Sequence, residues 1–145
     1  MDSVQILKTD ISVTNIDEVS KILIREKEVL IAICNANTLV QCYKNVKLNK
    51  LINSFTIKCP DGFPVAKSSR LLYKNNQKRV DGYKLFLKTL EFGLSNNTSH
   101  YFYGNNEFVT KKMIKKIKKL YPSINIAGYF CPPVLNYDQL TQKEY

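Results

Sequence analysis

Short apolar runs alternate with amphipathic stretches along the chain, and this alternation limits the folds that the chain can adopt. The longest apolar run, residues 29–34, has the length and composition of a strand buried in a parallel sheet. A helix that crosses a bilayer needs about 20 apolar residues, so we expect no transmembrane helix. Strands that alternate with helices predict an α/β fold. We expect it to be Rossmann-like, with a mostly parallel sheet of at least four strands and helices on both faces.

The individual elements are predicted from periodicity, capping residues and turn residues. Strands are expected at residues 4–12 (as a strand or a hairpin), 29–34, 54–58, 99–103 and 124–127. Helices are expected at residues 15–25, 38–51, 65–72, 81–92 and 107–120. Asn15 and Glu18 form a capping-box pattern at the start of the first helix. Gly93 is the expected C-cap of the fourth helix.

The length of 145 residues suits a single domain. We place this domain at residues 1–130 and a polar C-terminal tail at residues 131–145. Hydrophobic residues make up 44% of the chain and charged residues 23%, which is the balance of a globular protein rather than a disordered one. The N-terminus has no basic segment followed by an apolar stretch, so no secretory signal is expected.

Cysteine and histidine are too sparse to predict a metal site. The four cysteines form no Cys-x-x-Cys pair and His100 is the one histidine, whereas structural zinc needs closely spaced thiolates or imidazoles. Reduced thiols in a cytosolic protein are therefore expected. The sequence also lacks an Asp-x-Asp pair, which in sugar transferases holds a divalent cation on a nucleotide diphosphate. We expect neither a metal nor a cofactor.

The chain carries excess positive charge, with 22 Lys and Arg against 12 Asp and Glu and a formal net charge of +10. An anionic partner is therefore expected, either a nucleic acid, a phosphorylated metabolite or an acidic lipid surface. Six lysines lie in the last predicted helix: Lys111, Lys112, Lys115, Lys116, Lys118 and Lys119. They form either an ordinary solvated face or a basic face that rests on anionic lipid or polyphosphate. Nucleic acid is less favoured, because no known binding motif interleaves aromatic residues with these lysines.

Three predicted strand ends are the candidate site, because ligands of open α/β sheets bind beyond the carboxyl ends of the strands. They are residues 34–37, 59–62 and 104–106. Asp61, within Pro-Asp-Gly, is either a turn residue or a site carboxylate. The turn after Gly104 leads into a helix N-terminus, whose free N–H groups suit a phosphate.

Taken in order, the motifs at these positions resemble those of one family. They are Asn35 after an apolar strand, Asp61-Gly62 after a second, the run from Lys78 to Gly82 before a helix, Tyr103-Gly104 closing a strand, Tyr121-Pro122 ending the lysine-rich helix, and Gly128-Tyr129-Phe130 at the last strand. Residues 6–18 also resemble the start of that family. The chain thus resembles the WecB/TagA/CpsF glycosyltransferases, which include the teichoic-acid N-acetylmannosaminyltransferases.

The resemblance implies a metal-independent, inverting transfer of N-acetylmannosamine or a related hexose. The donor is a UDP-sugar, and the acceptor is N-acetylglucosamine on an undecaprenyl-diphosphate carrier. The reaction belongs to cell-envelope polysaccharide synthesis. The resemblance also implies a cytoplasmic protein, peripheral at the inner face of the cell membrane and in contact with the anionic surface of that membrane.

The resemblance also implies roles for individual residues. Asp61 stands where the family has its proposed general base. Asn35 matches the pocket asparagine, which orients a sugar hydroxyl or acetamido group. Arg79 matches the pocket arginine, whose planar fork suits a diphosphate. Gly62 and Gly104 are the glycines expected to bind substrate at the strand ends.

The chain also departs from the family pattern. Ile33 and Asp81 stand where the family has Thr, Lys84 replaces an acid, and Asn105 replaces the second glycine of a pair. The family's later Pro-Lys-Gln-Glu segment and C-terminal basic appendage have no match. We therefore expect the N-terminal part of the family domain, either a short divergent member or a truncated product, with impaired or partner-dependent activity. An uncovered apolar edge would favour a homo-oligomer. The alternative is a non-enzymatic basic module that binds polyphosphate, nucleic acid or an acidic partner.

Overall fold

The computed structural model describes residues 1–134, which form six strands and six helices. The strands are β1 (Ser3–Ile6), β2 (Thr9–Ser12), β3 (Ile31–Cys34), β4 (Ile57–Pro60), β5 (Ser99–Tyr103) and β6 (Asn125–Phe130). The helices are α1 (Ile16–Arg25), α2 (Ala36–Lys44), α3 (Val46–Asn53), α4 (Phe63–Tyr73), α5 (Gly82–Ser95) and α6 (Glu107–Leu120). The predicted tail at residues 131–145 lies mostly outside the described residues.

The strands pair within three two-stranded sheets. β1 and β2 form an antiparallel hairpin, whereas β3 pairs with β4 and β5 pairs with β6 in parallel. The α/β class and the predominance of parallel pairing are confirmed. Among residues 1–134, however, each sheet holds two strands rather than the expected four or more. Hydrophobic periodicity marks where strands lie but not which strands hydrogen-bond to one another, and this explains the difference.

Helices cover both faces of the β3–β4 sheet, as predicted. On one face Ala32 and Cys34 pack in a core with Leu39 of α2 and Val65 of α4, where the β1–β2 hairpin also contributes. On the other face the core residues come from β4, from α1, from α5 and from the segment before α5. They are Ile57, Cys59, Val19, Val80 and Leu85. Because side chains alternate between the faces of a strand, a short sheet with two buried faces carries a continuous apolar run.

The described chain divides into two compact units. The first runs from Met1 to Phe92 and contains β1 to β4 with the helices around them. The second begins at Gly93 and contains the β5–β6 pair and α6.

A tight turn of two non-glycine residues joins β1 to β2. Leu7 has a φ of 46° and Lys8 a φ of 67°, so both lie in the left-handed region. A two-residue hairpin turn with positive φ at both central positions matches the right-handed twist of the strands, but glycine or asparagine normally fills it. The β-carbons of Leu7 and Lys8 therefore carry a steric cost.

Several predicted boundaries differ from the structure by a few residues, as at β4, which was expected at 54–58 and lies at Ile57–Pro60. Two of the differences have a clear local reason. The single helix expected at 38–51 is two helices, because Asn45 ends α2 and its side chain caps α3 by accepting from the Leu48 N–H at 3.0 Å. Gly93 is not a C-cap, because α5 continues to Ser95. Instead Gly93 lies against a histidine ring: a β-carbon at this position would be 2.5 Å from Nε2 of His100. The absence of a side chain permits this close contact.

The cysteines are free thiols, and three of them are buried in the first unit: Cys34, Cys42 and Cys59. Burial raises the pKa of Cys34 to about 11 and that of Cys59 to about 12. Thiols with such raised pKa values are poor nucleophiles at neutral pH. Separately, none of the helices within residues 1–134 combines the length and apolar character that a membrane span requires.

Candidate functional site

Two predicted site residues are brought together where β3 and β4 end. The two strands are parallel, so their carboxyl ends lie at the same edge of the sheet. The backbone N–H of Asp61 donates to the carbonyl of Cys34 at 2.9 Å, which places Asp61 beside the residue before Asn35. Sequence reasoning predicted this juxtaposition from the rule that strand ends share an edge.

Asn35 is the N-cap of α2, and this role fixes its side chain. Its Oδ1 accepts from the backbone N–H of Thr38 at 3.0 Å and from the Thr38 hydroxyl at 3.2 Å. The Nδ2 amide has no acceptor among the described residues. Because Oδ1 is already used, Asn35 can offer a ligand two N–H donors.

Arg79 reaches the same edge through an extended segment that pairs with the end of β4. The buried Val80 donates its N–H to the carbonyl of Pro60 at 2.9 Å. Nε of Arg79 then lies 3.4 Å from Oδ1 of Asp61. The Arg79 side chain is 52% exposed and that of Asp61 is 23% exposed, so a ligand can reach the pair. Asn35, Asp61 and Arg79 therefore lie at the same sheet edge, as predicted.

Asp81 is a further member of this cluster that sequence reasoning treated only as a departure from the family pattern. Its Oδ2 lies 2.5 Å from Nη2 of Arg79, and its Oδ1 accepts from the backbone N–H of Lys84 at 3.0 Å. The hydrogen bond from the Lys84 N–H has the largest effect on the pKa of Asp81 and lowers it, and the positive charge of Arg79 lowers it further. Asp81 thus caps α5, a role that threonine also fills, while adding a carboxylate beside Arg79.

A buried glutamine anchors the segment that carries Arg79. The Gln77 side chain is 1% exposed, and its Oε1 accepts from the backbone N–H of Thr14 at 3.2 Å. Its Nε2 donates to the carbonyl of Thr14 at 2.6 Å and to that of Lys78 at 2.7 Å. Nothing in the polar stretch 73–78 signalled this burial, because the two backbone groups of Thr14 that Gln77 binds lie 63 residues away in the sequence.

Gly62 follows Asp61 in a conformation that favours glycine. With a φ of 83° and a ψ of 150°, it turns the chain from β4 into α4 and is the N-cap residue of that helix. A side chain here would meet little steric obstruction but would strain the backbone. The structure therefore gives Gly62 a backbone role that positions Asp61.

Gly104 belongs to the second unit, where it ends β5. It has a φ of 114° and donates its N–H to the carbonyl of Phe130 at 2.9 Å. Asn106 follows as the N-cap of α6, and its Oδ1 accepts from the Val109 N–H at 2.9 Å. A groove beside this helix start is lined by residues 105–107 and 129–134.

Comparison with known proteins adds a second line of observation. Residues 4–144 match the family model described as "Glycosyl transferase WecG/TagA/CpsF family". The chain is 30% identical over 105 residues to the N-acetylglucosaminyldiphosphoundecaprenol N-acetyl-beta-D-mannosaminyltransferase of Bacillus spizizenii. It is 34% identical over 79 residues to the protein of the same name from Bacillus subtilis.

These alignments cover the relatives only in part. The match to the Bacillus spizizenii protein takes in 72% of this chain and 41% of the relative. The match to the Bacillus subtilis protein takes in 54% of this chain and 31% of the relative. The chain thus spans about two fifths or less of the length of these relatives.

Proposed function

Because this chain belongs to the WecG/TagA/CpsF family of glycosyltransferases, we propose that it transfers N-acetylmannosamine or a related hexose. The donor in this proposal is a UDP-sugar, and the acceptor is N-acetylglucosamine attached through a diphosphate to a polyprenol. The names of the Bacillus relatives support the choice of sugar and acceptor. The observation that carries the proposal is the exposed Asp61–Arg79 pair at the carboxyl end of β4.

Asp61 is the general base of the proposed reaction. Its carboxylate takes the proton from an acceptor hydroxyl while that oxygen attacks the anomeric carbon of the donor sugar. The new bond joins the acceptor oxygen to the anomeric carbon, and the bond from that carbon to the diphosphate breaks. UDP leaves on the opposite side, so the configuration at the anomeric carbon inverts. Partial exposure of Asp61 leaves room for the acceptor.

Arg79 binds the donor diphosphate in this proposal. A guanidinium has five N–H donors in one plane, and the two carboxylates engage it at Nε and Nη2. The remaining donors suit a bidentate contact with phosphate oxygens. Positive charge there stabilises the leaving group as the glycosidic bond breaks.

Asn35 and Gly62 complete the proposed substrate site in the first unit. The Nδ2 amide of Asn35 donates to a sugar hydroxyl or to the acetamido carbonyl. Gly62 positions Asp61. In the second unit, considered by itself, the helix start after Gly104 offers backbone N–H groups to an anion. The absence of an Asp-x-Asp pair in the sequence supports transfer that needs no divalent cation.

The lipid carrier of the proposed acceptor sets where the reaction occurs. A polyprenol-linked substrate stays in the membrane, so the enzyme works as a peripheral protein at the cytoplasmic face of the cell membrane. The net charge of +10 supports contact with an anionic surface. Self-association through apolar surface remains a prediction, which light scattering tests.

A transfer assay tests the proposed function. The purified chain is incubated with labelled UDP-N-acetylmannosamine and a short-chain polyprenyl-diphosphate N-acetylglucosamine, and we expect a labelled disaccharide lipid. Asp61→Asn lowers turnover by at least about 100-fold, whereas Asp17→Asn on the exposed first turn of α1 leaves it unchanged. EDTA has no effect. Absence of product, or full turnover of Asp61→Asn, contradicts the proposal. Tight binding of polyphosphate or nucleic acid without transfer would favour the non-enzymatic module.

A further inference from the structure

The side of α6 that faces away from its packed residues carries a dense positive charge. Thr110 and Ile117 are the buried residues of this helix. The six lysines are all exposed: Lys111, Lys112, Lys115, Lys116, Lys118 and Lys119. The helix contains one acid, Glu107, which pairs with Lys111 at 2.7 Å. Among residues 1–134 the other five lysines have no acid within ion-pair distance.

An exposed aromatic residue lies on the same side of the helix. Helical spacing of three and four residues aligns Phe108 with Lys112, Lys115 and Lys119 on one stripe, opposite Ile117. We call this stripe the Phe108 face. Phe108 is 75% exposed, and Nζ of Lys112 lies 6.0 Å from the centre of its ring. A phenylalanine this exposed contributes little to the core of its own unit.

We propose that the Phe108 face docks the chain on an anionic phospholipid bilayer. This inference rests on the proposed function, because a lipid-linked acceptor requires contact with a membrane surface. A convex stripe with lysines along it and one aromatic side chain at its end suits a flat anionic surface. The lysines are attracted to the headgroup charge, and the phenyl ring enters the interface between headgroups and acyl chains.

Vesicle binding by the whole chain tests the docking surface. The probes are vesicles of equal parts phosphatidylglycerol and phosphatidylcholine, and vesicles of phosphatidylcholine alone. The triple variant Lys112→Gln, Lys115→Gln, Lys119→Gln removes the charge of the face. The matched control Lys44→Gln, Lys47→Gln, Lys50→Gln removes the same charge from exposed lysines of α2 and α3. All six positions are exposed, so both variants keep the fold, which circular dichroism verifies.

We expect the two triple variants to differ clearly in their binding to anionic vesicles. Each lysine near an anionic surface raises the partition coefficient onto vesicles about fivefold. The partition coefficient of the α6 triple variant should therefore fall by at least about tenfold. The α2–α3 control should lose less than about threefold, since its lysines act only through long-range charge. Phe108→Ser should remove most binding that persists at high salt. Phe63→Ser, at another phenylalanine in contact with a lysine, should not.

Three results would overturn the docking proposal. They are equal losses in the two triple variants, equal binding to phosphatidylcholine alone, and preferential binding of the Phe108 face to duplex DNA at the same salt concentration. The proposed function is tested separately with a water-soluble acceptor analogue. The α6 triple variant should transfer sugar to this analogue at the wild-type rate, so a failure of docking leaves the transfer activity measurable.

Discussion

The guanidinium of Arg79 lies between two carboxylates, with Nε 3.4 Å from Oδ1 of Asp61 and Nη2 2.5 Å from Oδ2 of Asp81. A planar fork can hold two acids at once, whereas a lysine ammonium is a single point charge. Asp81 is itself held by the N-terminus of α5. The start of α5 therefore fixes the orientation of Arg79 beside Asp61.

Replacing the planar guanidinium of Arg79 with an ammonium group tests whether transfer depends on its contacts with both carboxylates. Arg79→Lys keeps the charge but cannot contact both carboxylates, so we expect kcat/KM for sugar transfer to fall by about tenfold or more. The control is Arg70→Lys on the exposed side of α4, which should stay within about twofold of wild type. Equal activity of Arg79→Lys and wild type would show that transfer does not use the fork.

The cap formed by Asp81 predicts a dependence of stability on pH. The pKa of Asp81 is lowered in the folded chain from its ordinary value of 3.8, so ionised Asp81 favours folding. This contribution is fully present above the ordinary pKa and is lost as the pH falls through the lower folded value. Thermal unfolding should show Asp81→Ala less stable than wild type at neutral pH, with the difference shrinking below about pH 4.

Asp81→Asn is the matched control for the charge. Asparagine is also a strong N-cap residue, so this variant keeps the hydrogen bond to the Lys84 N–H without a titrating group. We expect it to lie between wild type and Asp81→Ala at neutral pH. A gap between wild type and Asp81→Ala that stays constant with pH would contradict the assigned role of the ionised carboxylate.

The buried amide of Gln77 predicts a large loss of stability when it is removed. Gln77→Leu leaves the N–H and the carbonyl of Thr14 without their partners, and each unsatisfied buried group costs about 1–3 kcal/mol. Urea denaturation should therefore show a loss of at least about 1 kcal/mol. Gln41→Leu, at an exposed position of α2, should change stability by less than about 0.5 kcal/mol. Similar losses of unfolding free energy in both variants would contradict the anchoring role of Gln77.

Local signals explain which parts of the structure could be predicted. The bounds of β5 and α6 were predicted correctly because Gly104-Asn105, the capping Asn106 and Pro122 mark them within a few residues. The meeting of Asn35 and Asp61 was predictable because parallel strands end at one edge.

Contacts between distant segments explain what could not be predicted. The roles of Gln77 and Asp81 depend on where Thr14 and Arg79 lie in space, and neither leaves a periodic pattern in the sequence. Strand pairing depends on the same kind of contact, so the alternation of elements did not show that the strands divide into pairs.

The β1–β2 turn predicts a substitution that stabilises the chain. Leu7 has a φ of 46°, which costs a branched residue about 1–2 kcal/mol and an asparagine less. Leu7→Asn should therefore raise the free energy of unfolding by about 0.5–1 kcal/mol, measured by urea denaturation. Leu7 is 49% exposed, so little packing is lost. Alanine and asparagine both keep the β-carbon, but only asparagine has a short polar side chain that hydrogen-bonds to nearby backbone in the left-handed region, so Leu7→Ala should give no such gain. A gain from alanine equal to that from asparagine would contradict this account.

The contact between Gly93 and His100 predicts a coupling between two substitutions. Alanine normally favours a helix interior over glycine by about 1 kcal/mol. At Gly93, however, the new β-carbon would lie 2.5 Å from Nε2 and 2.9 Å from Cε1 of His100, and such overlap costs about 1–3 kcal/mol. Gly93→Ala should therefore destabilise the wild-type chain.

The same substitution should stabilise a chain in which the histidine ring is gone. In the His100→Ala background the overlap disappears, so Gly93→Ala should recover the helix preference of about 1 kcal/mol. Urea denaturation of the wild type, the two single variants and the double variant measures the coupling free energy, which we expect to exceed about 1 kcal/mol. Additive effects of the two substitutions would show that the ring moves aside without cost. The glycine would then be explained by neither a cap nor the close contact with His100.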